Sequence, residues 1–132
     1  MSDASEMIRT NPSDTGWDAG ALAACIEACF ACVQTCTACA DACLGEDGVA
    51  EMRQCITTDL GCADVCAATG AVLSRQSAFN AELSRAVVEA CRTACGLCAA
   101  ECEQHASMHE HCRVCAEACR RCEQACATLL AA

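Results

Sequence analysis

Cysteines recur along this chain at intervals of three and four residues, a spacing that could gather many thiols on one surface. The longest run consists of Cys25, Cys29, Cys32, Cys36, Cys39 and Cys43. Such intervals mark one face of an α-helix, and no Gly or Pro interrupts the run. At 1.5 Å per residue the thiols would form a row about 27 Å long. Thiolates at this density favour one of three kinds of metal centre: Cu(I), Zn(II) or an iron–sulfur cluster.

The same spacing returns in three later segments of the chain. Their faces carry Met52, Cys55, Asp59, Cys62 and Cys66, then Cys91, Cys95, Cys98, Cys102 and His105, and finally Cys112, Cys115, Cys119, Cys122 and Cys126. Eight of the cysteine pairs are four residues apart, so each offers two sulfurs on one helix face. Four helices therefore have to place these thiols together.

The elements that position the thiols are predicted as helices over residues 17–44, 48–74 and 78–106 and from 108 onward. Short turns between four amphipathic helices predict an all-α, antiparallel, up-down-up-down four-helix bundle whose core is lined by Cys. A chain of 132 residues is most simply one domain. We expect a flexible N-terminal arm over residues 1–14, with at most one helical turn, and a metal-storage domain over residues 15–132.

The two ends of this predicted bundle differ in chemistry. The two turns at one end would bring together Cys43, Met52, Cys55, Asp59, His105, Met108, His109, His111 and Cys112. We call this the histidine end and predict that metal enters there. The opposite, apolar end would be closed by Leu22, Val72, Leu73, Phe79, Leu83, Val87, Leu129 and Leu130. His111 lies off the thiol face of its helix and is interpreted as a surface residue.

Charge and the N-terminal sequence limit the function classes. The net charge is −10 and there is no Lys, which argues against a nucleic-acid partner. The N-terminus shows no basic-then-apolar leader and no twin-Arg motif, and no apolar run approaches a membrane span. We therefore expect a cytoplasmic protein without a membrane partner. In that reducing compartment the 18 cysteines are expected to remain free of disulfides.

Charge also separates the candidate metals. Zn(II) held by four thiolates leaves about −2 per site inside the core, whereas about one Cu(I) per thiolate leaves the core near neutral. Iron–sulfur motifs usually lie in loops, and the single Pro12 is far from every cysteine. Many Cu(I) ions per chain are therefore predicted, while a zinc or mixed-metal thiolate buffer and an iron–sulfur protein stay open as alternatives.

The thiol-lined helices, the missing export signal and the histidines at one end resemble the cytosolic bacterial copper storage proteins. The resemblance covers about residues 17–130. It implies a four-helix bundle, a homotetramer, and many Cu(I) ions held by all 18 cysteines. It also places Asp59, His105 and His109 at the open end of the bundle as further metal-site candidates. Apolar outer-face residues, among them Phe30 and Val114, would then lie in a subunit interface.

The function predicted from the sequence is cytosolic copper storage and detoxification. A copper chaperone or a small thiol carrier is the expected exchange partner. No nucleophile, base and orienting group can be placed together, so no enzymatic activity is predicted. A metallothionein-like zinc buffer remains the main alternative, and the metal stoichiometry distinguishes the two.

Overall fold

The computed structural model describes residues 1–132 and consists of five α-helices and one 3-10 turn, without strands. A short N-terminal helix precedes four long ones. The elements are α1 (Asp3–Thr10), α2 (Ala19–Leu44), the 3-10 turn Val49–Met52, α3 (Arg53–Leu73), α4 (Ala81–Glu103) and α5 (Glu110–Ala131). The four long helices confirm the predicted fold class.

Sulfur contacts across the core show the direction of each helix. Along α2 and α5, Cys25 pairs with Cys126 and Cys39 with Cys112, so residue numbers rise along one helix as they fall along the other. Along α3 and α4 the same holds for Cys55 with Cys102 and Cys66 with Cys91. Each long helix packs against two neighbours, which gives the antiparallel bundle.

Local chemistry sets the helix ends, and several lie inside the predicted limits. Asp18 accepts a hydrogen bond from the backbone N–H of Ala21 and caps α2, while Asn80 caps α4 through the N–H of Leu83. Gly45 is the C-cap of α2, as its position after the last thiol suggests. The predicted helix over 48–74 begins as a 3-10 turn and becomes α-helical only at Arg53.

Residues 3–10 are helical, where the sequence predicted a flexible arm. Ser2 caps α1 by accepting a hydrogen bond from the N–H of Ser5, and it also hydrogen-bonds the Glu27 side chain on α2. Ala4 and Ile8 pack against the core of the bundle. The helix is too short to be stable alone, so this packing on α2 is what supports it.

The apolar end is closed by a set of residues that differs in part from the predicted one. Leu22, Leu73 and Leu129 are buried as expected. On α4, however, Val88 and Ser84 face the core, whereas Leu83 is 54% exposed. Val88 lies three residues and the predicted Val87 four residues before Cys91, so periodicity could not decide between them.

Two helical stretches, Ala19–Leu44 and Val49–Leu73, are long and apolar enough to cross a membrane by length and composition. The expectation that no apolar run approaches a membrane span was therefore wrong as far as helix length and composition are concerned. Both stretches line the bundle core with cysteine. Cysteine and alanine raise hydropathy as leucine does, so a thiol-lined core helix passes the same test.

Candidate metal centre

All 18 cysteines are free and buried, and none is more than 2% exposed. Their sulfurs form a line along the bundle axis, whose central part is a connected set of 11 thiols from all four long helices. Neighbouring Sγ atoms lie 3.6 to 4.0 Å apart, both within one helix, as for Cys32 and Cys36, and between helices, as for Cys36 and Cys119. The helical spacing therefore does what the sequence predicted, because all four long helices turn their thiol faces to one axis.

Groups of four side chains along this line could each hold a metal ion, with all ligand atoms within 4.8 Å of one another. Neighbouring groups share members. The all-cysteine groups include Cys32, Cys66, Cys95 and Cys122, then Cys32, Cys36, Cys62 and Cys119, and then Cys36, Cys98, Cys115 and Cys119. Because one thiol belongs to two groups, a sulfur here is suited to bridging two ions rather than to serving one closed site.

Asp59 is the only carboxylate within the line of thiols, and it is fully buried. Its Oδ1 accepts hydrogen bonds from the thiols of Cys98, Cys102 and Cys115 at 3.1 to 3.4 Å. Burial raises the pKa of Asp59 to about 8. The metal-free protein at neutral pH therefore holds this side chain as a neutral acid.

This raised pKa predicts how the metal-free protein responds to pH. The folded state retains the Asp59 proton up to about pH 8, whereas the unfolded state releases it near the usual carboxyl pKa of 3.8. The stabilising effect is complete below the unfolded pKa and is lost as pH rises toward the folded pKa. Between these two pKa values the free energy of unfolding of the wild type should fall by up to about 1.4 kcal/mol per pH unit because of Asp59. Asp59→Asn should abolish this contribution to the pH dependence.

Urea unfolding of the reduced, metal-free wild type and of Asp59→Asn between pH 5 and 8 measures this difference. The two proteins share every other titrating group, so the difference between their curves isolates Asp59. Parallel curves would show that the carboxyl is not held in its neutral form.

His105 and His109, the two histidines predicted as metal-site candidates, are each paired with a carboxylate. His105 lies beyond the end of α4, and its Nε2 is 3.0 Å from Oε2 of Glu101. His109 is the N-cap residue of α5, and its Nδ1 is 2.8 Å from Oε2 of Glu46. Neither side chain makes a hydrogen bond to a cysteine sulfur.

His111 makes the contacts with thiols that the other two histidines lack. Its Nδ1 lies 3.4 Å from Sγ of Cys39 and 3.6 Å from Sγ of Cys112. Together with Cys43 these residues form a further group that could hold a metal ion. The interpretation of His111 as a surface residue was wrong. It lies next to the thiol face in the first turn of α5, and its ring reaches across to a cysteine of α2.

The remaining residues of the histidine end have different environments. Met52 is buried, whereas Met108 is 70% exposed and makes no contact with the thiols that would suggest a ligand. Burial raises the pKa of the Cys112 thiol to about 11. This thiol is therefore protonated in the metal-free protein at neutral pH, and a metal ion that binds it must displace the proton.

An antiparallel four-helix bundle with a line of free thiols along its axis is the fold and site of a thiolate metal-storage protein. The sequence profile of the copper storage proteins (Csp) matches residues 18–131. The chain therefore belongs to the copper storage protein family. No curated protein sequence matches it significantly.

Solved structures of copper storage proteins are similar to this chain over most of its length. One is Ccsp from Streptomyces lividans loaded with 10 copper equivalents, with 59% identity, a TM-score of 0.95, and coverage of 97% of this chain and 98% of that one. A cytosolic copper storage protein from the same organism with five coppers shares 62% identity over 86% and 94% of the chains, with a TM-score of 0.85. Cu(I)-bound BsCsp3 shares 34% identity over 81% and 95%, with a TM-score of 0.72.

Proposed function

We propose that this chain stores Cu(I) in the cytosol and thereby protects the cell from free copper. The observation that supports this proposal most directly is that all 18 thiols are buried in the bundle core and that every one except Cys43 has another Sγ within 4.0 Å. A structural metal site needs only four ligands. Ligands that run the length of the bundle are instead suited to capacity.

The proposed copper ligands are the 18 cysteine thiolates. Asp59 lies within reach of three of them, and His105 and His109 are proposed to act at the histidine end. His111 is added as a ligand because its Nδ1 faces the thiols of Cys39 and Cys112. Thiolate, imidazole nitrogen and a single carboxylate form a predominantly soft donor set, which suits Cu(I).

Electrostatics supports the same metal. About one Cu(I) per thiolate leaves the filled core close to neutral, whereas tetrahedral Zn(II) sites would each leave about −2 in a buried space. The protein already carries a net charge of −10. Additional buried negative charge would therefore be unfavourable.

A zinc or mixed-metal buffer is the second candidate, and the sulfur spacing of the metal-free core favours it in one respect. Four sulfurs at about 2.3 Å from a tetrahedral Zn(II) are about 3.8 Å from one another. The observed Sγ separations include this value. Cys32, Cys36 and Cys119 are each shared by two groups, so these groups cannot all form separate, closed four-thiolate zinc sites at the same time.

The assembly and exchange partners are part of the proposal. Residues 15–132 form the storage domain, and α1 is an accessory helix on its surface. Partly exposed apolar residues on the outer helix faces, Phe30 and Val114 among them, support a homotetramer. Copper would be exchanged with a copper chaperone or a small thiol carrier, and the protein itself would have no catalytic role.

An anaerobic titration of the reduced, metal-free protein with Cu(I) against a competing chelator tests the function. Uptake of more than about ten Cu(I) per chain, ending near one per thiol, is the expected result. A parallel titration with Zn(II) should end near four ions. Saturation with Cu(I) at a few ions would exclude storage and favour the zinc buffer.

A further inference from the structure

Glu46 lies in the turn between α2 and the 3-10 turn, and it joins both histidines at the start of α5. Its Oε2 atom is 2.8 Å from Nδ1 of His109 and 2.8 Å from Nε2 of His111. The two imidazole rings stack with their centroids 5.5 Å apart. One carboxylate oxygen therefore connects the two turns that frame the histidine end.

The contact with Glu46 determines which nitrogen of His111 is available to a metal. Oε2 of Glu46 lies 2.8 Å from Nε2 of His111, and a carboxylate can only accept hydrogen bonds. Nε2 of His111 must then carry the proton. In the neutral ring this leaves Nδ1 with a free lone pair, and Nδ1 is the atom that faces Cys39 and Cys112.

The same reasoning applies to His109, except that here Nδ1 faces the carboxylate and Nε2 is the nitrogen left for a metal. Its Nδ1 lies 2.8 Å from the same carboxylate oxygen, which can only accept, so the proton of the neutral ring is favoured on Nδ1 and Nε2 is left unprotonated. The carboxylate thus fixes the tautomer and the ring position of both histidines at once. Metal-binding histidines commonly rely on such an outer carboxylate, and its loss typically weakens metal binding about 10- to 100-fold.

We propose that Glu46 is a positioning residue for copper uptake, holding His111 and His109 so that a ring nitrogen of each is ready to receive Cu(I) at the histidine end. This inference rests on the proposed storage function. Glu46 acts through the histidines and is not itself a ligand. It influences the rate of uptake, whereas the thiols of the core determine the capacity.

The test compares the wild type with Glu46→Ala, Glu46→Gln and the matched control Asp47→Ala. Asp47 lies in the same turn, is exposed and carries the same charge, but it makes no hydrogen bond to a histidine. Uptake of the first Cu(I) from its bicinchoninate complex is followed by the loss of the complex's absorbance. Glu46→Ala should slow uptake about tenfold, Glu46→Gln should be intermediate because one amide oxygen still accepts, and Asp47→Ala should resemble the wild type.

Removing the histidines shows whether Glu46 acts through them. In a His109→Ala/His111→Ala background, adding Glu46→Ala should cause no further slowing, because residues that act as a unit are not additive. Additional slowing in that background would overturn the proposal and make Glu46 a ligand or a charge effect. An uptake rate of Glu46→Ala equal to that of the wild type would also overturn it.

The total Cu(I) capacity separates this inference from the proposed function. A wild type that binds more than about ten Cu(I) while Glu46→Ala keeps the wild-type rate contradicts only the role of Glu46. A wild type that saturates at a few ions contradicts storage itself. Far-UV circular dichroism of each variant confirms that the compared proteins are equally helical.

Discussion

Replacement of Cys36, Cys98, Cys115 and Cys119 by serine is expected to lower the Cu(I) capacity by at least about four ions per chain. These thiols come from α2, α4 and α5 and form one of the groups that could hold a metal ion. Sγ of Cys36 lies 3.9 Å from that of Cys98, 3.7 Å from that of Cys115 and 3.6 Å from that of Cys119. Serine keeps the side-chain shape but removes the soft donor.

The loss should exceed four ions because Cys36 and Cys119 also belong to the neighbouring group with Cys32 and Cys62. Cu(I) uptake by this variant should also show two kinetic phases. The four serines separate the thiols nearer the apolar end from the histidine end, so those thiols should bind Cu(I) more slowly. Competitive titration measures the capacity, and stopped-flow measurements of uptake resolve the phases.

A variant with Cys25→Ser and Cys126→Ser is the matched control. This pair lies at the apolar end of the line, with sulfurs 3.8 Å apart. It should lose about two ions without a second kinetic phase, because no thiols lie beyond it. An unchanged capacity in the central variant would show that copper is not held by the line of thiols.

Loading with Cu(I) is expected to raise the Tm of the protein by about 20 °C or more. A ligand that binds only the folded state at 100 times its Kd stabilises that state by about 2.7 kcal/mol, and several ions act together. For a chain of this size, 1 kcal/mol corresponds to roughly 3 to 5 °C. Binding of Cu(I) to thiols of the unfolded chain reduces this gain, since only the difference in affinity stabilises the fold.

Thermal unfolding followed by circular dichroism, with and without Cu(I), measures this effect. The helical signal at 25 °C should be nearly the same in both states, because neutral thiols pack as small apolar side chains in the absence of metal. The central serine variant should gain less stability than the wild type. A Tm that Cu(I) leaves unchanged would place the bound ions outside the folded core.

Local periodicity in the sequence was sufficient to predict the bundle and the thiol line. The spacing from Cys25 to Cys43 defines a helix face whatever the helix packs against, and four such faces can be buried together only around one axis. The same spacing placed Asp59 among the thiols, where the structure has it fully buried. These features depend on residues three and four apart, so the sequence contains them directly.

Contacts between distant segments decided the rest. The α1 helix forms because Ile8 finds an apolar surface on the bundle, and a segment of eight residues contains no sign of that surface. On α4, the choice of Val88 over Val87 depends on a small rotation of the helix that its neighbours determine. His111 becomes a candidate ligand only because Cys39 of α2 lies opposite the first turn of α5. Glu46 is 65 residues away from His111 in sequence, so only the tertiary structure could bring its carboxylate to that ring.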